Sequence, residues 1–304
     1  MELRQALALA VEHLEAADVG SPRLNAETLL IFVLGCNRAY LYAHPERELT
    51  ADEQARYEEV IALRATDMPS QYITEHQEFW GLDLVVSPAV LIPRPETEHL
   101  VETVLELARE IPQPRIVDVG TGSGCVALAL AYELRGAEIY GLDLSVEALE
   151  IARVNAARLQ LDSRVQFLQG NILEPITDQS FIATAIAEPR SRGTPMAGRQ
   201  FRDLDFVVSN PPYVGLNEGD KVQRSVFKFE PRMAVFAGEN GLDVIRPLIV
   251  QAQQAVRVGG WLALEIGFTM RDTVLDLLSP TTWEQIRVVP DLQGIPRVVA
   301  ARRI

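Results

Sequence analysis

The sequence predicts an α/β fold with a mostly parallel sheet, preceded by a small helical domain. Three observations support this prediction. Short apolar runs separated by helical patterns recur after residue 115, a glycine-rich turn connects the first run to an apolar helix, and the first 74 residues show helical periodicity only. A chain of 304 residues is long enough for one large and one small domain.

Residues 1–74 are predicted to form the helical domain. Apolar residues recur at helical spacing between Leu3 and Leu14, and Ser21-Pro22 is typical of an N-cap followed by the first helical residue. Thr50 and Glu53 form a capping box for a further helix. No catalytic constellation lies in this region, so packing against the rest of the chain is a sufficient role for it.

Residues 75–93 are predicted to form a hairpin or an extended linker, in which Trp80 packs rather than reacts. The third predicted domain covers residues 94–304, and Pro93-Arg94-Pro95 leads into it. A helix follows, with an apolar face that runs from Leu100 to Ala108. Thr97 and Glu98 stand at its start, where they are suited to capping it.

The glycine-rich turn follows a predicted strand at residues 116–119. The turn is Gly120-Thr121-Gly122-Ser123-Gly124, and an apolar helix follows it. Glycines in such a turn let the backbone approach a ligand closely, but the spacing G-x-G-x-G differs from the G-x-G-x-x-G of a pyrophosphate site. Asp118, two residues before the first glycine, favours a ligand with a cationic amino group.

Two further strand ends carry polar residues. Asp143 ends a predicted strand 23 residues after Gly120, which is close to the position of a carboxylate that binds ribose hydroxyls; a helix-start residue is the alternative. The next strand leads into Gly170, Asn171 and Ile172, where an amide and an apolar wall could hold an adenine ring. Together these sites predict a nucleoside with a cationic amino-acid arm, and S-adenosylmethionine fits that description.

Asn210-Pro211-Pro212-Tyr213 follows the predicted strand at residues 204–209. Because each proline holds the preceding residue extended, the turn presents backbone carbonyls and the Asn210 amide in fixed directions. Tyr213 adds an aromatic face. This set is complementary to a planar carboxamide or exocyclic amine, although Asn-Pro also occurs in ordinary turns.

Three more strands are predicted at residues 261–266, 286–289 and 298–301, which gives seven in the sheet. The last strand is expected to be antiparallel to the others. Asp118, Asp143 and Asn210 all follow or end strands, and the carboxyl ends of parallel strands form the ligand-binding edge of such a sheet.

Composition restricts the function classes. The net charge of −14 disfavours a protein that grips a nucleic-acid backbone, so no direct DNA binding is expected, although acidity also simply aids solubility. No apolar run is long enough for a membrane span, and residues 1–5 lack the apolar core of a signal peptide, so neither is expected. Two cysteines without a partner motif favour a cytoplasmic location, and the four histidines show no metal-site spacing, so no metal is expected.

The motifs together resemble those of class I S-adenosylmethionine-dependent methyltransferases, with their seven-stranded Rossmann-like sheet. The segments at residues 79–98, 230–243 and 296–302 are similar to those of the peptide chain release factor glutamine N5-methyltransferases. That resemblance, which covers the chain from about residue 5, implies methylation of the glutamine in the Gly-Gly-Gln motif of release factors. It implies that residues 1–74 recognise the substrate. It also implies that Asn210-Pro211-Pro212-Tyr213 is catalytic and binds the glutamine, and that Asn210 binds the cofactor as well. Arg94, Thr97 and Glu98 are implied to line the active site and bind the substrate.

Other readings stay open. A methyltransferase for nucleic-acid amino groups would require a basic channel, the glutamine of another protein is a possible substrate, and a non-enzymatic scaffold would not need an intact acceptor motif.

Residues 174–202 depart from the family pattern because this link is usually much shorter. Residues 188–202 contain four arginines and one glutamate, a local charge of +3. A solvated insertion is one interpretation, and a contact with the release factor or ribosomal RNA is another.

Overall fold

The computed structural model describes residues 1–174 and 203–304, so the 174–202 insertion, apart from Glu174, lies outside the described residues. The described chain forms two compact units. One comprises Met1–His76 together with Val222–Glu230, and the other comprises Gln77–Lys221 and Pro231–Ile304. The sequence boundaries at residues 74 and 93 stay predictions, and they did not assign 222–230 to the helical part. No described helix has the length and apolarity needed to cross a bilayer.

The elements have the following bounds. The helices are α1 (Leu3–Ala16), α2 (Pro22–Leu34), α3 (Arg38–Ala43), α4 (Ala51–Ala65), α5 (Ser70–Thr74), α6 (Glu98–Leu107), α7 (Cys125–Glu133), α8 (Val146–Arg158), α9 (Arg224–Phe229), α10 (Arg232–Val235), α11 (Ile245–Ala255) and α12 (Arg271–Leu277). The strands are β1 (His76–Phe79), β2 (Leu82–Val85), β3 (Arg115–Val119), β4 (Glu138–Asp143), β5 (Val165–Gln169), β6 (Leu204–Ser209), β7 (Val256–Glu265), β8 (Trp283–Pro290) and β9 (Pro296–Arg303). Short 3₁₀ turns cover Pro95–Thr97 and Leu216–Lys221.

The helical unit packs α1, α2 and α4 around a core that includes Leu14, Leu30 and Tyr57. The capping box at the start of α4 is confirmed, since Thr50 and Glu53 exchange side-chain and backbone hydrogen bonds. Ser21 does stand at the N-cap of α2, but its side chain makes no capping bond because the residue is left-handed, with a φ of 52°. Helix α9 is tied to the end of α4 by a hydrogen bond from Lys228 Nζ to the Thr66 carbonyl and by an Arg224–Asp67 ion pair.

The larger unit is built on a seven-stranded sheet in the order β5-β4-β3-β6-β7-β9-β8. The predicted α/β fold is confirmed, and β9 is antiparallel to both of its neighbours while the other pairs are parallel. Alternate strand residues face two apolar cores: Ile116 packs with α6, α7 and α8 on one face, and Val117 packs with α11 and α12 on the other.

The strand order reverses between β3 and β6, which lie side by side at the centre of the sheet. Val119 pairs with Ser209, so both strands end at the same level. The Ser209 hydroxyl donates a 2.6 Å hydrogen bond to the Val119 carbonyl and joins the two ends. Ligands of open α/β sheets bind at such a switch point. The glycine turn and Asn210 therefore leave the sheet next to each other.

The segment before α6 is a hairpin, as one of the two predictions for residues 75–93 stated. Strands β1 and β2 pair in a separate two-stranded sheet. The buried Asn155 on α8 anchors it, because its side chain binds both the N–H and the carbonyl of Val85 and also the Ser123 carbonyl.

Candidate active site

A cleft with about 860 Å³ of empty space, open mouth included, lies over the carboxyl ends of β3, β4 and β6. Eight residues predicted from the sequence line it: Gly120, Gly122, Asp143, Asn171, Ile172, Asn210, Pro211 and Pro212. Others line it that the sequence did not indicate, among them Val90, Leu91, Leu144, Met233 and Val244. The predicted residues that do not line it are Asp118, Thr121, Ser123, Gly124, Tyr213, Arg94, Thr97 and Glu98.

The glycine turn has its backbone in the left-handed region at Gly120, Gly122 and Gly124, with φ values of 71°, 54° and 84°. A side chain at any of these positions would strain the turn. Beneath it, the buried Asp118 carboxylate accepts hydrogen bonds from the Thr121 hydroxyl at 2.6 Å and the Ala127 N–H at 3.2 Å. Asp118 thus braces the turn and the start of α7, while its contact with a ligand's amino group stays a prediction.

Asp118 is 1% exposed, and burial raises its pKa to about 7. The unfolded chain releases this proton near pH 4 and the folded protein near pH 7, so Asp118 makes the fold progressively less stable as pH rises through that window. We expect Asp118→Asn, which keeps an acceptor oxygen, to raise the melting temperature more at pH 8 than at pH 5. Thermal unfolding at both pH values measures this, and an equal change at both would contradict it.

Asp143, at the end of β4, faces the cleft with its carboxylate fixed by the backbone. Oδ2 accepts from the Gly122 N–H and Oδ1 accepts from the Ser145 N–H, each at 2.9 Å. Ser145 in turn caps α8, as the sequence predicted, by accepting from the Ala148 N–H. Burial raises the pKa of Asp143, and the backbone donors oppose that effect. Each oxygen keeps lone pairs for a further donor.

Asn210 follows β6 directly and lines the cleft. Its Nδ2 donates to the Thr97 hydroxyl oxygen at 3.0 Å, which fixes the side-chain amide. Thr97 is 1% exposed, and its side chain makes no capping bond to α6. Its role in substrate binding stays a prediction. Glu98 Oε1 accepts from the Trp80 N–H at 2.8 Å and thereby holds the hairpin.

The turn after Asn210 is enclosed by the segment at residues 238–243. Gly241 has a φ of 72°, and a Cβ there would overlap the Tyr213 carbonyl oxygen. Tyr213 itself packs against the core under α11 and α12, and burial raises its pKa while the charge of Arg94 lowers it. Arg94 therefore lies near Tyr213 but not on the cleft wall.

We expect Gly241→Ala to displace the Tyr213 backbone and lower the free energy of unfolding by ~1–3 kcal/mol, since it combines backbone strain with overlap. Denaturant unfolding measures the change. Gly294→Ala is the matched control: its φ is also positive, at 79°, but a Cβ there meets no atom within 4 Å. If the two variants lose the same stability, strain alone accounts for both.

Glu265 is a further residue near the site for which the sequence predicted no functional role. It ends β7 in an otherwise apolar run, it is 2% exposed, and it lies near Thr97 and Tyr213, whose hydroxyls lower its pKa. Burial has the larger effect and raises that pKa to about 7. The one available signal was an acid at the carboxyl end of a predicted buried strand, the edge where ligands bind. Among residues 1–174 and 203–304 no group of acidic, histidine and cysteine side chains could hold a metal ion.

The fold and cleft define a class I methyltransferase. A family model described as a methyltransferase domain matches residues 112–184, and one described as the PrmC N-terminal domain matches residues 5–74. The catalytic domain of hMettl16, solved in complex with the MAT2A 3′UTR hairpin 6, shares the fold, with a TM-score of 0.54 and 15% identity over 88% of this chain and 92% of that one.

The relatives narrow the class. A release factor glutamine methyltransferase from Koribacter versatilis is 52% identical over 303 residues, covering 100% of this chain and 99% of the relative. Its counterpart from Moorella thermoacetica is 40% identical, with coverage of 100% and 99%. The chain belongs to the release factor glutamine methyltransferase family.

Proposed function

We propose that this enzyme transfers a methyl group from S-adenosylmethionine to the side-chain amide nitrogen, N5, of the glutamine in the Gly-Gly-Gln motif of peptide chain release factors. The main support for the proposal is the position and fixed orientation of the Asn210 side-chain amide. It stands at the switch point of the sheet with Nδ2 bound to Thr97, which leaves Oδ1 as an acceptor for a substrate N–H. The names of the relatives support the substrate.

The cleft residues fit the cofactor. Gly120 and Gly122 allow close approach of its amino-acid arm, Asp143 has lone pairs for ribose hydroxyls, and Asn171 with Ile172 suits the adenine. The negative charge of Asp118, beneath the glycine turn, would attract the cationic amino group of the cofactor. When bound, the cofactor supplies an electrophilic methyl group on a positively charged sulfur.

A carboxamide nitrogen is a poor nucleophile because its lone pair is delocalised into the carbonyl. Position and fixed dipoles must therefore provide most of the catalysis. Asn210 Oδ1 accepts one hydrogen of the substrate NH₂, and the Nδ2 hydrogen not bound to Thr97 is available to the substrate carbonyl. The Pro211 carbonyl accepts the second substrate hydrogen, Pro212 keeps the turn rigid, and Tyr213 closes the pocket behind it. Transfer would break the carbon–sulfur bond, leave its electron pair on the sulfur, and be followed by loss of one of the two nitrogen hydrogens as a proton.

Mass spectrometry of purified release factor, incubated with the enzyme and isotopically labelled cofactor, tests the proposal. We expect one added methyl group on the peptide that carries Gly-Gly-Gln, and none on a release factor in which that glutamine is replaced by glutamate. Labelling of nucleic acid instead, or of a different glutamine, would contradict the proposed substrate.

Two further proposals concern the role of the N-terminal residues and the location of the enzyme in the cell. We propose that residues 1–74, matched by the PrmC N-terminal model from residue 5 onward, recognise the release factor. We also propose a cytoplasmic location, where release factors act in translation, with no direct contact to DNA. A pull-down of release factor by the full-length enzyme, with surface substitutions on α1 and α2 as variants, tests the first of these.

A further inference from the structure

We infer that Glu265 and Thr97 are positioning residues that set which way the Asn210 side-chain amide faces, so that its oxygen rather than its NH₂ meets the substrate nitrogen. This inference rests on the proposed function. In this chain of hydrogen bonds, Asn210 at the substrate pocket donates to Thr97, and Thr97 donates to the buried carboxylate of Glu265.

The topology brings these residues together. Leu264 of β7 pairs with Ser209 of β6, so the next residues along both strands, Glu265 and Asn210, leave the sheet as neighbours. Thr97 comes from the 3₁₀ turn that precedes α6 and is buried beside them. Glu265 is buried, and one of its two oxygens, Oε2, has no hydrogen-bond partner among the described residues, although the Thr97 and Tyr213 hydroxyls interact with the carboxyl group.

The direction follows from counting hydrogens. The Thr97 hydroxyl has one hydrogen to donate and lone pairs to accept. An ionised Glu265 only accepts, so the Thr97 hydrogen is directed to it and the Thr97 oxygen is left to accept from Asn210 Nδ2 at 3.0 Å. The amide oxygen of Asn210 is then committed to the cleft. A flipped Asn210 would set an NH₂ group against the substrate NH₂ and leave donors unpaired, which is costly in a buried site.

The polar, titratable and charged groups around Glu265 come from four directions. They are Thr97 and Glu96 before α6, Tyr213 after β6, Arg297 on β9 and the Cys125 thiol at the start of α7, with Arg94 close to Tyr213. Arg297 and the two hydroxyls favour the ionised carboxylate, whereas burial and Glu96 oppose it. Protonated Glu265 no longer requires the Thr97 hydrogen, so kcat should fall as pH decreases through the Glu265 ionisation.

The test uses four variants of the full-length enzyme with release factor as substrate. We expect Thr97→Val and Glu265→Leu to lower kcat by ~10-fold, the value of one hydrogen bond of the stronger kind, with little change in KM or in cofactor affinity by calorimetry. Thr97→Ser should retain activity. Glu265→Gln keeps an acceptor oxygen but cannot titrate. The kcat of this variant should therefore not show the fall at low pH that is expected of the wild-type enzyme.

Thr103→Val is the matched control, since Thr103 is also buried, and its hydroxyl binds the His99 carbonyl within α6, outside the site. In the Asn210→Ala background the Thr97 and Glu265 substitutions should cause no further loss, because they act through that amide. Additive losses there, or a Thr97→Val variant as active as Thr103→Val, would overturn the inference. An Asn210→Ala variant with normal activity would instead overturn the proposed function of the site.

Discussion

Asn210→Ala is expected to lower kcat by ~10²–10³-fold, the loss seen when one preorganised hydrogen-bonding group is removed from an active site. The amide nitrogen of a glutamine becomes reactive only when its lone pair is directed at the methyl group, and in the proposed mechanism the acceptor is Oδ1 of Asn210, a residue that lines the cleft and whose Nδ2 is bound to Thr97. Single-turnover measurements with saturating cofactor and release factor isolate that step.

Cofactor affinity should be nearly unchanged in the same variant, because the predicted cofactor contacts are centred on the ends of β3 and β4. Calorimetric titration of the cofactor serves as the control. Asn210→Asp is the informative companion, since it keeps an oxygen acceptor but removes the donor to Thr97. Normal turnover of Asn210→Ala on release factor would remove Asn210 from the catalytic role.

Most of the features that depend on neighbouring residues were predictable from the sequence. The capping box at Thr50 and the cap at Ser145 are signals within one helical turn, and both are present, whereas Ser21 stands at the N-cap of α2 without making the capping bond. The strands of the sheet are apolar runs, and the residues that follow them mark the ligand edge. For that reason the positions of Gly120, Asp143 and Asn210 at the ends of predicted strands were enough to place them at the ligand edge. All three line one cleft in the structure.

The remainder depends on which distant segments meet. Thr97 suits both a helix start and a buried hydrogen bond, and only the approach of β6 distinguishes them. Glu265 looks like any strand-end acid until β7 is known to lie beside β6. Helix α9 belongs with the helical unit although its sequence adjoins the larger one, because Lys228 and Arg224 bind residues at the end of α4.

The second large effect is expected at Asp143, where alanine should weaken cofactor binding by ~10–100-fold, the worth of hydrogen bonds to a charged group. Part of the loss would come from the protein itself, since the Gly122 and Ser145 N–H groups also lose their acceptor. Calorimetry gives the affinity, and thermal unfolding shows whether the variant remains folded.

A cofactor analogue that lacks a ribose hydroxyl separates the two contributions. If Asp143 binds the ribose, the analogue binds the wild-type enzyme more weakly than the cofactor does, and Asp143→Ala no longer distinguishes the two ligands. Ser145→Ala is the control, because it removes the cap of α8 but leaves the backbone N–H that Asp143 accepts from. If Asp143→Ala discriminates against the analogue as strongly as the wild type does, Asp143 holds only the turn, and the ribose must be bound elsewhere in the cleft.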